Sequence, residues 1–351
     1  MQRPDHGGDI YRNHIQVDFS VSLNPLGMPA SAVSAAKEGA AASAVYPDSE
    51  CAKLRRLLSV KEEVPPEWIV FGSGAAELIY ALALAFRPRK ALLMAPGFSE
   101  YERALLAAGC HPDHYTCSRE RGYAAGEDFP DLVSPETDMI FICNPNNPTG
   151  VPVRWSVLEQ TAAVCRENDT MLIIDECFLE LCTDPAVQSM KGFLRDHGRL
   201  VVLRAFTKQY AMAGLRLGYL LSGNQQIRSR VRSCLQPWNV SIPAQMAGAA
   251  ALGEEGYMEK ALSCIAEGKE YLLKELEALG LSCIHGAANF IFFEGPGGLY
   301  EKCLRRGILI RDCSNFRGLR EGSYRVCVRM PDDNRKLIQV LADCLREEHN
   351  G

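Results

Sequence analysis

The sequence predicts an α/β fold in which a mostly parallel sheet is covered by helices on both faces and is followed by a smaller α+β domain. Short, continuous apolar runs alternate with helical patterns as far as residue 236, and such runs are typical of strands buried on both faces. Beyond residue 236, long helical patterns replace this alternation. A chain of 351 residues with 47% hydrophobic content is long enough for one sizeable domain and a smaller one.

The predicted elements follow one another along the chain. Apolar strands are expected at residues 68–71, 91–94, 139–142, 171–174, 200–203 and 217–221, with helices at 75–86, 101–108 and 155–168. The later part predicts helices at 244–252, 254–279 and 333–346 and strands at 289–293 and 324–328. We therefore expect an N-terminal segment (residues 1–45) that packs with the small domain, a large domain (46–236) and a small C-terminal domain (237–351).

Glycine or polar residues follow four of the predicted strands, at Gly74, Asn147, Asp175 and Lys208. Ligands of open α/β sheets bind at the carboxyl ends of the strands, so these residues predict a common site. Each alone has a simpler explanation, since a lysine at a strand end is usually a surface residue. A chance arrangement does not readily explain why polar residues follow several of the strands.

Lys208 leaves its strand on a small turn that carries a hydroxyl, and Arg216 follows eight positions later (216 − 208 = 8). The lysine amine can bond covalently to an aldehyde cofactor. The Thr207 hydroxyl and the Arg216 guanidinium suit a phosphate group. This combination indicates pyridoxal 5'-phosphate as the cofactor.

Asp175 closes a wholly apolar strand, where an unpaired carboxylate is costly to bury. The cationic ring nitrogen of the cofactor would pair with this carboxylate and keep the ring an electron acceptor. The alternative is an aspartate that caps a helix, which we rank lower. For Asn147, in the loop of residues 144–150, a purely turn-forming role is the alternative.

The segment FGSGAAE (residues 71–77) follows a strand and opens a helix, so backbone N–H groups near Gly74 and Ala75 suit a phosphate. It half-matches the dinucleotide fingerprint G-x-G-x-x-G, but Glu77 replaces the last glycine and no acid ends the next strand. A turn with a merely structural purpose is the other alternative. Thr207 and Arg216 favour the phosphate interpretation.

The motifs NPNNPTG (144–150), IIDE (173–176) and TK (207–208) with GLRLGY (214–219) resemble the fold type I pyridoxal-phosphate enzymes, in the branch that holds histidinol-phosphate aminotransferase. The resemblance runs from the N-terminus to about residue 329 and implies the aminotransferase fold. It implies that Phe98 stacks on the cofactor ring, that Asn147 donates to its phenolic oxygen and that Arg325 binds the substrate α-carboxylate. It also implies a homodimer in which Tyr46 reaches the cofactor phosphate of the neighbouring subunit.

Two positions depart from the family pattern. Phe178 stands where many relatives carry a tyrosine that bonds the phenolic oxygen, which leaves Asn147 as the evident donor. Ala205 replaces a hydroxyl residue that is often part of the phosphate site. Both departures weaken the inference of cofactor binding, and neither removes the lysine or the aspartate.

Two further stretches narrow the resemblance. HGGDIY (6–11) with DFSVSLNPLG (18–27), and IRDCSNF (310–316), resemble the threonine-phosphate decarboxylases of cobalamin synthesis. This resemblance implies a substrate site that includes His6, Asn24 and Arg311, with Arg317 and Arg329 as further candidates for the substrate phosphate. The simpler alternative for His6 is a disordered N-terminal tail.

The implied activity is decarboxylation of L-threonine O-3-phosphate to (R)-1-amino-2-propanol O-2-phosphate. One alternative is an aminotransferase acting on histidinol phosphate or another amino acid, which would use the same cofactor residues. Another is a noncatalytic module that uses this fold to sense a ligand.

Composition restricts partners and location. A net charge of −5 without a basic run argues against nucleic acid, and no apolar stretch reaches the roughly 18 to 20 residues of a membrane span. The N-terminus lacks the apolar core of a signal peptide, so we expect a cytoplasmic protein.

The 14 cysteines show no C-x-x-C spacing, which favours reduced, buried thiols over disulfides or a metal site. Cys177, two residues after Asp175, is a candidate oxidation-sensitive thiol.

Overall fold

The computed structural model describes residues 6–349. Its strands are β1 (Val17–Asp18), β2 (Ile69–Gly72), β3 (Ala91–Ala95), β4 (Asp113–Thr116), β5 (Met139–Cys143), β6 (Met171–Asp175), β7 (Leu200–Ala205), β8 (Gly218–Leu221), β9 (Ser282–Ile284), β10 (Phe290–Glu294), β11 (Ile308–Leu309), β12 (Arg311–Asp312) and β13 (Ser323–Cys327). Its helices are α1 (Ala30–Ala41), α2 (Ala52–Glu62), α3 (Ala75–Phe86), α4 (Ser99–Ala107), α5 (Trp155–Glu167), α6 (Phe206–Gln209), α7 (Gln225–Cys234), α8 (Ile242–Ala251), α9 (Tyr257–Ala278), α10 (Leu299–Arg305) and α11 (Pro331–His349). None of the helices in this part of the chain is both long enough and apolar enough to cross a membrane.

The large sheet has seven strands in the order β2-β8-β7-β6-β5-β3-β4. Strand β8 runs antiparallel to both of its neighbours, and the other neighbouring strands pair in parallel. Parallel pairing places the ends of β5, β6 and β7 at the same edge of the sheet, with Cys143 beside Asp175 and Asp175 beside Leu203. The segments that carry Asn147 and Lys208 continue from this edge.

Both faces of the large sheet are covered by helices. Alternate residues of β3 and β5 enter two separate cores: Leu92 and Ile140 pack with α2, α5 and α8, whereas Leu93 and Phe141 pack with α3, α4 and α7. This arrangement explains why the strands read as continuous apolar runs, because neither face meets water. It confirms the predicted α/β class.

A third core belongs to the C-terminal part of the chain. A four-stranded sheet in the order β12-β13-β10-β9 packs with α9, α10 and α11. Strand β1 pairs in parallel with β11 at Val17 and Ile308, which attaches the N-terminal segment to this part. Helix α8 buries Ala244 and Ala247 in the core of the large sheet. The domain division at residues 46 and 237 remains a proposal, and this contact favours a boundary after α8.

Strand β4 was not predicted. Its sequence, Asp-His-Tyr-Thr, buries Tyr115 but leaves Asp113 and Thr116 exposed at the edge of the sheet. An edge strand with solvent on one side lacks the apolar run that reveals the buried strands.

Candidate active site

A cavity of about 310 Å³ lies at the carboxyl edge of the large sheet, between that sheet and the C-terminal part of the chain. Residues from distant segments line this cavity. They include His6, Ala75, Phe98, Asn147, Asp175, Thr207, Lys208, Arg216, Arg311 and Arg325, all predicted as site residues, together with Ser20, Val21, Tyr101, Cys143, Cys177 and Phe178.

Lys208 lies in the short helix α6, which begins directly after β7. Its Nζ atom is 5.3 Å from the centroid of the Phe178 ring. Burial of the amine lowers the pKa of Lys208 to about 8, and the positive charge of Arg325 acts in the same direction. A larger fraction of the amine is therefore unprotonated near neutral pH, as a nucleophilic lysine requires.

Asp175 ends β6 with 4% of its surface exposed. Its Oδ2 accepts a hydrogen bond from the Tyr101 hydroxyl at 2.7 Å, and its Oδ1 accepts one from the Cys177 N–H at 3.0 Å. No lysine, arginine or histidine of residues 6–349 forms an ion pair with this carboxylate. A buried carboxylate without a cation is costly, which fits a ligand that supplies the positive charge.

Gly74 forms a turn before α3, whose first residue is Ala75 and whose N-terminus has no side-chain cap among the described residues. Gly74 has a φ of +81°, and a Cβ at this position would lie 2.6 Å from a guanidinium nitrogen of Arg216. Arg216 itself has a φ of +57° and donates to the Ala213 carbonyl at 3.2 Å. Thr207 also lines the cavity. The N–H groups that begin α3 and the Arg216 guanidinium therefore lie near a space that a side chain at position 74 would fill. These residues fit the phosphate of pyridoxal phosphate.

Arg325, on β13, reaches the loop after β5. Its Nη1 donates to Oδ1 of Asn147 at 2.5 Å and its Nη2 donates to the Ser20 carbonyl at 2.9 Å. The side chain is buried, and its Nε has no hydrogen-bond partner among the described residues. Burial lowers the pKa of Arg325. A buried guanidinium with an unused N–H can accept an anionic group.

Arg311 and His6 also line the cavity, and Arg311 pairs with Arg325 on the neighbouring strands β12 and β13. The Arg311 guanidinium donates to the Asp312 carbonyl at 2.6 Å and to Oδ1 of Asn315 at 2.8 Å, and it lies 5.2 Å from the Phe316 ring centroid. Nε2 of His6 lies 2.9 Å from Oε1 of Glu100. This contact holds the N-terminal segment against the first turn of α4.

Phe98 precedes α4 and lies between His6 and Tyr101. Its ring centroid is 6.1 Å from that of His6 and 5.5 Å from that of Tyr101, which it meets at an interplanar angle of 84°. The ring lines the cavity, as an aromatic residue that stacks on a cofactor would.

Asn24 and Tyr46, both predicted as site residues, do not line the cavity. The Asn24 side chain donates to the Gln209 carbonyl at 2.8 Å, and its backbone N–H donates to the Lys208 carbonyl at 3.0 Å. Asn24 therefore supports the backbone that carries Lys208. Tyr46 is 75% exposed and stacks on Trp238, with the ring centroids 4.2 Å apart.

The further phosphate candidates, Arg317 and Arg329, do not line this cavity. Arg317 pairs with Glu102 at 2.7 Å, and Arg329 pairs with Asp333 at 2.9 Å.

Cys177 differs from its expected role as an oxidation-sensitive thiol. Burial and the nearby Asp175 charge raise the pKa of this thiol well above its usual range, which disfavours the reactive thiolate.

Tyr101 is the main site residue that the sequence did not reveal. It lies in a helical pattern of apolar and polar residues, and such a tyrosine is usually part of the core. The only available indication was its position three residues after Phe98, which places both side chains on one end of α4.

This fold and this site define a class of protein. The chain belongs to the aminotransferase class I and II family, whose model matches residues 14–341. Enzymes of this family depend on pyridoxal phosphate, which confirms the predicted cofactor.

Individual relatives share the fold over almost the whole chain. The sequence is 33% identical to the threonine-phosphate decarboxylase of Salmonella typhimurium over 333 residues, which cover 94% of this chain and 91% of that protein. It is 31% identical to the histidinol-phosphate aminotransferase of Moorella thermoacetica over 339 residues, or 94% and 85% of the two chains. The structure of the histidinol-phosphate aminotransferase from Clostridium acetobutylicum matches with a TM-score of 0.87 and 28% identity, covering 94% of this chain and 99% of that one.

Proposed function

We propose that this protein decarboxylates L-threonine O-3-phosphate to (R)-1-amino-2-propanol O-2-phosphate, as a pyridoxal-phosphate lyase of cobalamin biosynthesis. The observation that carries the proposal is the charge on the cavity wall. Arg216, Arg311 and Arg325 line the cavity, and Asp175 is the only carboxylate that does so within residues 6–349. Three guanidinium groups match three anionic groups: the cofactor phosphate, the substrate carboxylate and the substrate phosphate.

Each proposed role follows from the position of a residue around the cavity. Lys208 would hold the cofactor covalently, the Gly74 turn with Thr207 and Arg216 would bind its phosphate, and Asp175 would pair with its ring nitrogen. When bound, the cofactor accepts the electron pair that remains when carbon dioxide leaves the α-carbon.

The substrate would be held by two arginines that pair on neighbouring strands. Arg325 would bind the α-carboxylate, and Arg311 with His6 would bind the substrate phosphate. Two fixed anionic groups determine the orientation of the α-carbon, and orientation decides which of its bonds breaks. Lys208 Nζ is the candidate group to return a proton to that carbon, because its lowered pKa allows the amine to exchange protons near neutral pH.

The test is a product assay with purified protein. We expect threonine phosphate to release carbon dioxide without any added 2-oxo acid. Threonine itself should react far more slowly because it lacks the phosphate's charge-assisted hydrogen bonds.

The second candidate is an aminotransferase of the histidinol-phosphate type, favoured by relatives with that name and by the shared cofactor residues. Formation of the pyridoxamine cofactor with glutamate, while threonine phosphate stays intact, would establish this candidate instead.

We also propose a cytoplasmic homodimer in which Tyr46 reaches the cofactor phosphate of the partner subunit. Tyr46 is exposed and does not line the cavity of its own chain, which supports a role across an interface. All 14 cysteines are free thiols, in agreement with a reducing compartment. Mixing Lys208→Ala protomers with Tyr46→Ala protomers should restore activity, because a mixed dimer contains one site with both residues intact. No recovery in mixtures shown to exchange subunits would refute the shared site.

A further inference from the structure

Both oxygens of the Asp175 carboxylate accept hydrogen bonds. The Tyr101 hydroxyl donates to Oδ2 at 2.7 Å, and the Cys177 N–H donates to Oδ1 at 3.0 Å. The Cys177 N–H belongs to the backbone that continues from β6, so it moves with Asp175. Tyr101 belongs to α4, and its hydroxyl therefore connects the carboxylate to a different element of the fold.

The position of this hydroxyl is determined by packing. The Tyr101 ring is 3% exposed and lies almost parallel to Phe141, with the centroids 5.0 Å apart and an interplanar angle of 11°. The Phe98 ring meets the Tyr101 ring edge-on, with the centroids 5.5 Å apart. Aromatic contacts of this kind prefer particular geometries, so the ring has little freedom to turn.

The hydroxyl also remains a donor. Burial and the adjacent Asp175 charge raise the pKa of Tyr101 well above its usual range, so the phenol stays protonated at any working pH. A protonated phenol beside a carboxylate can only donate, and hydrogen bonds to charged acceptors are among the stronger ones in proteins.

We propose that Tyr101 is a positioning residue that fixes the plane of the Asp175 carboxylate toward the ring nitrogen of the cofactor. This inference rests on the proposed function only in its use of pyridoxal phosphate. It assigns Tyr101 a role that differs from packing: the hydroxyl acts through Asp175, whereas the ring serves the core. The two contributions can be separated because Tyr101→Phe removes the hydroxyl and keeps the ring.

The experiment measures the dissociation constant of pyridoxal phosphate from apo-protein, and the absorbance spectrum of the bound cofactor, for Tyr101→Phe. We expect cofactor binding to weaken about tenfold, which corresponds to the loss of one hydrogen bond to a charged group. In an Asp175→Asn background the same substitution should change the dissociation constant by less than about twofold, because the group it acts through is already altered.

Tyr115→Phe is the matched control. The Tyr115 hydroxyl also donates to an aspartate, Oδ1 of Asp128, at 2.8 Å, but neither residue lines the cavity. This variant should bind the cofactor as the wild-type protein does. Phe141→Leu gives a second test, since it keeps the Tyr101 hydroxyl but removes the ring that orients it, and it should weaken binding only when Asp175 is present.

The possible results are distinct. Equal losses for Tyr101→Phe in the wild-type and Asp175→Asn backgrounds would overturn the proposal and leave Tyr101 a packing residue. Unchanged binding in both backgrounds would also overturn it. Pyridoxal phosphate binds whether the enzyme is a decarboxylase or an aminotransferase, so failure of the decarboxylase assay leaves this test intact. A wild-type protein that does not bind pyridoxal phosphate would refute both proposals.

Discussion

Replacing Arg204 with methionine should strongly reduce the free energy of unfolding. Arg204, on β7, is 4% exposed and donates to three carboxylates: to Glu62 at 3.1 Å, to Glu176 at 2.8 Å and to Glu180 at 2.8 Å. Glu176 follows Asp175, and Arg204 precedes Lys208 by four positions (208 − 204 = 4). This ion cluster therefore joins the ends of β6 and β7 directly behind the candidate site.

The size of the loss follows from what remains buried. Glu62 keeps a hydrogen bond from the Tyr219 hydroxyl at 2.6 Å, and Glu176 keeps one from the Met190 N–H at 2.7 Å. Removing one partner of a buried ion pair costs about 3 to 5 kcal/mol, and the surviving donors favour a value of about 3 kcal/mol.

The loss should also depend on pH. Burial raises the pKa of Glu176, while the Arg204 charge lowers it, so Arg204→Met should raise this pKa further. The folded variant then binds this proton more tightly than the unfolded chain does. Its deficit relative to wild type should therefore grow as pH rises from the ordinary carboxyl pKa through the raised pKa of the folded variant.

The assay is denaturant unfolding of the apo-protein at pH 5.5 and pH 8, judged by the shift in the transition midpoint. Arg199→Met is the control: Arg199 pairs with Asp169 at 3.0 Å, and the Asp169 side chain is 83% exposed. An exposed pair of this kind contributes less than about 1 kcal/mol. If Arg204→Met costs no more than Arg199→Met, the cluster is not a stabilising contact and the reasoning fails.

Four further predictions concern the site. Borohydride should link the cofactor to Lys208, and Lys208→Ala should abolish turnover; mass spectrometry that finds the adduct on another lysine would disprove this assignment. Asp175→Asn should raise the activation free energy by about 4 kcal/mol, because it removes a preorganised electrostatic partner. A near-normal kcat in a folded variant would show that another group holds the ring nitrogen. Capture of pyridoxal phosphate by the apo-protein should accelerate with pH, with its midpoint at about pH 8 and a plateau above it, because the unprotonated Lys208 amine reacts. In Arg325→Met the midpoint should move upward, since removing a like charge raises the pKa of Lys208. Stopped-flow absorbance would measure both midpoints. His6→Ala should raise KM for threonine phosphate, and an unchanged KM would remove His6 from the phosphate site.

Much of the large domain could be predicted because its information is local. The strands β3, β5, β6 and β7 are buried on both faces and therefore appear as apolar runs, which any window of the sequence reveals. Parallel strands place their carboxyl ends at one edge, so Asp175 and Lys208 could be assigned to one site without coordinates. The helices α1 and α2 were not predicted.

The sequence by itself determined the α/β class, the strand-end position of Lys208 and Asp175, and the glycine turn at Gly74. Each depends on neighbouring residues and on the alternation of strands and helices. Only the tertiary structure decided that Tyr101 donates to Asp175, that Arg325 contacts Asn147 across 178 positions and that Asn24 supports the Lys208 backbone rather than the cavity wall. These contacts join distant segments, and their geometry depends on how whole elements pack, which the local pattern around any one of these residues does not encode.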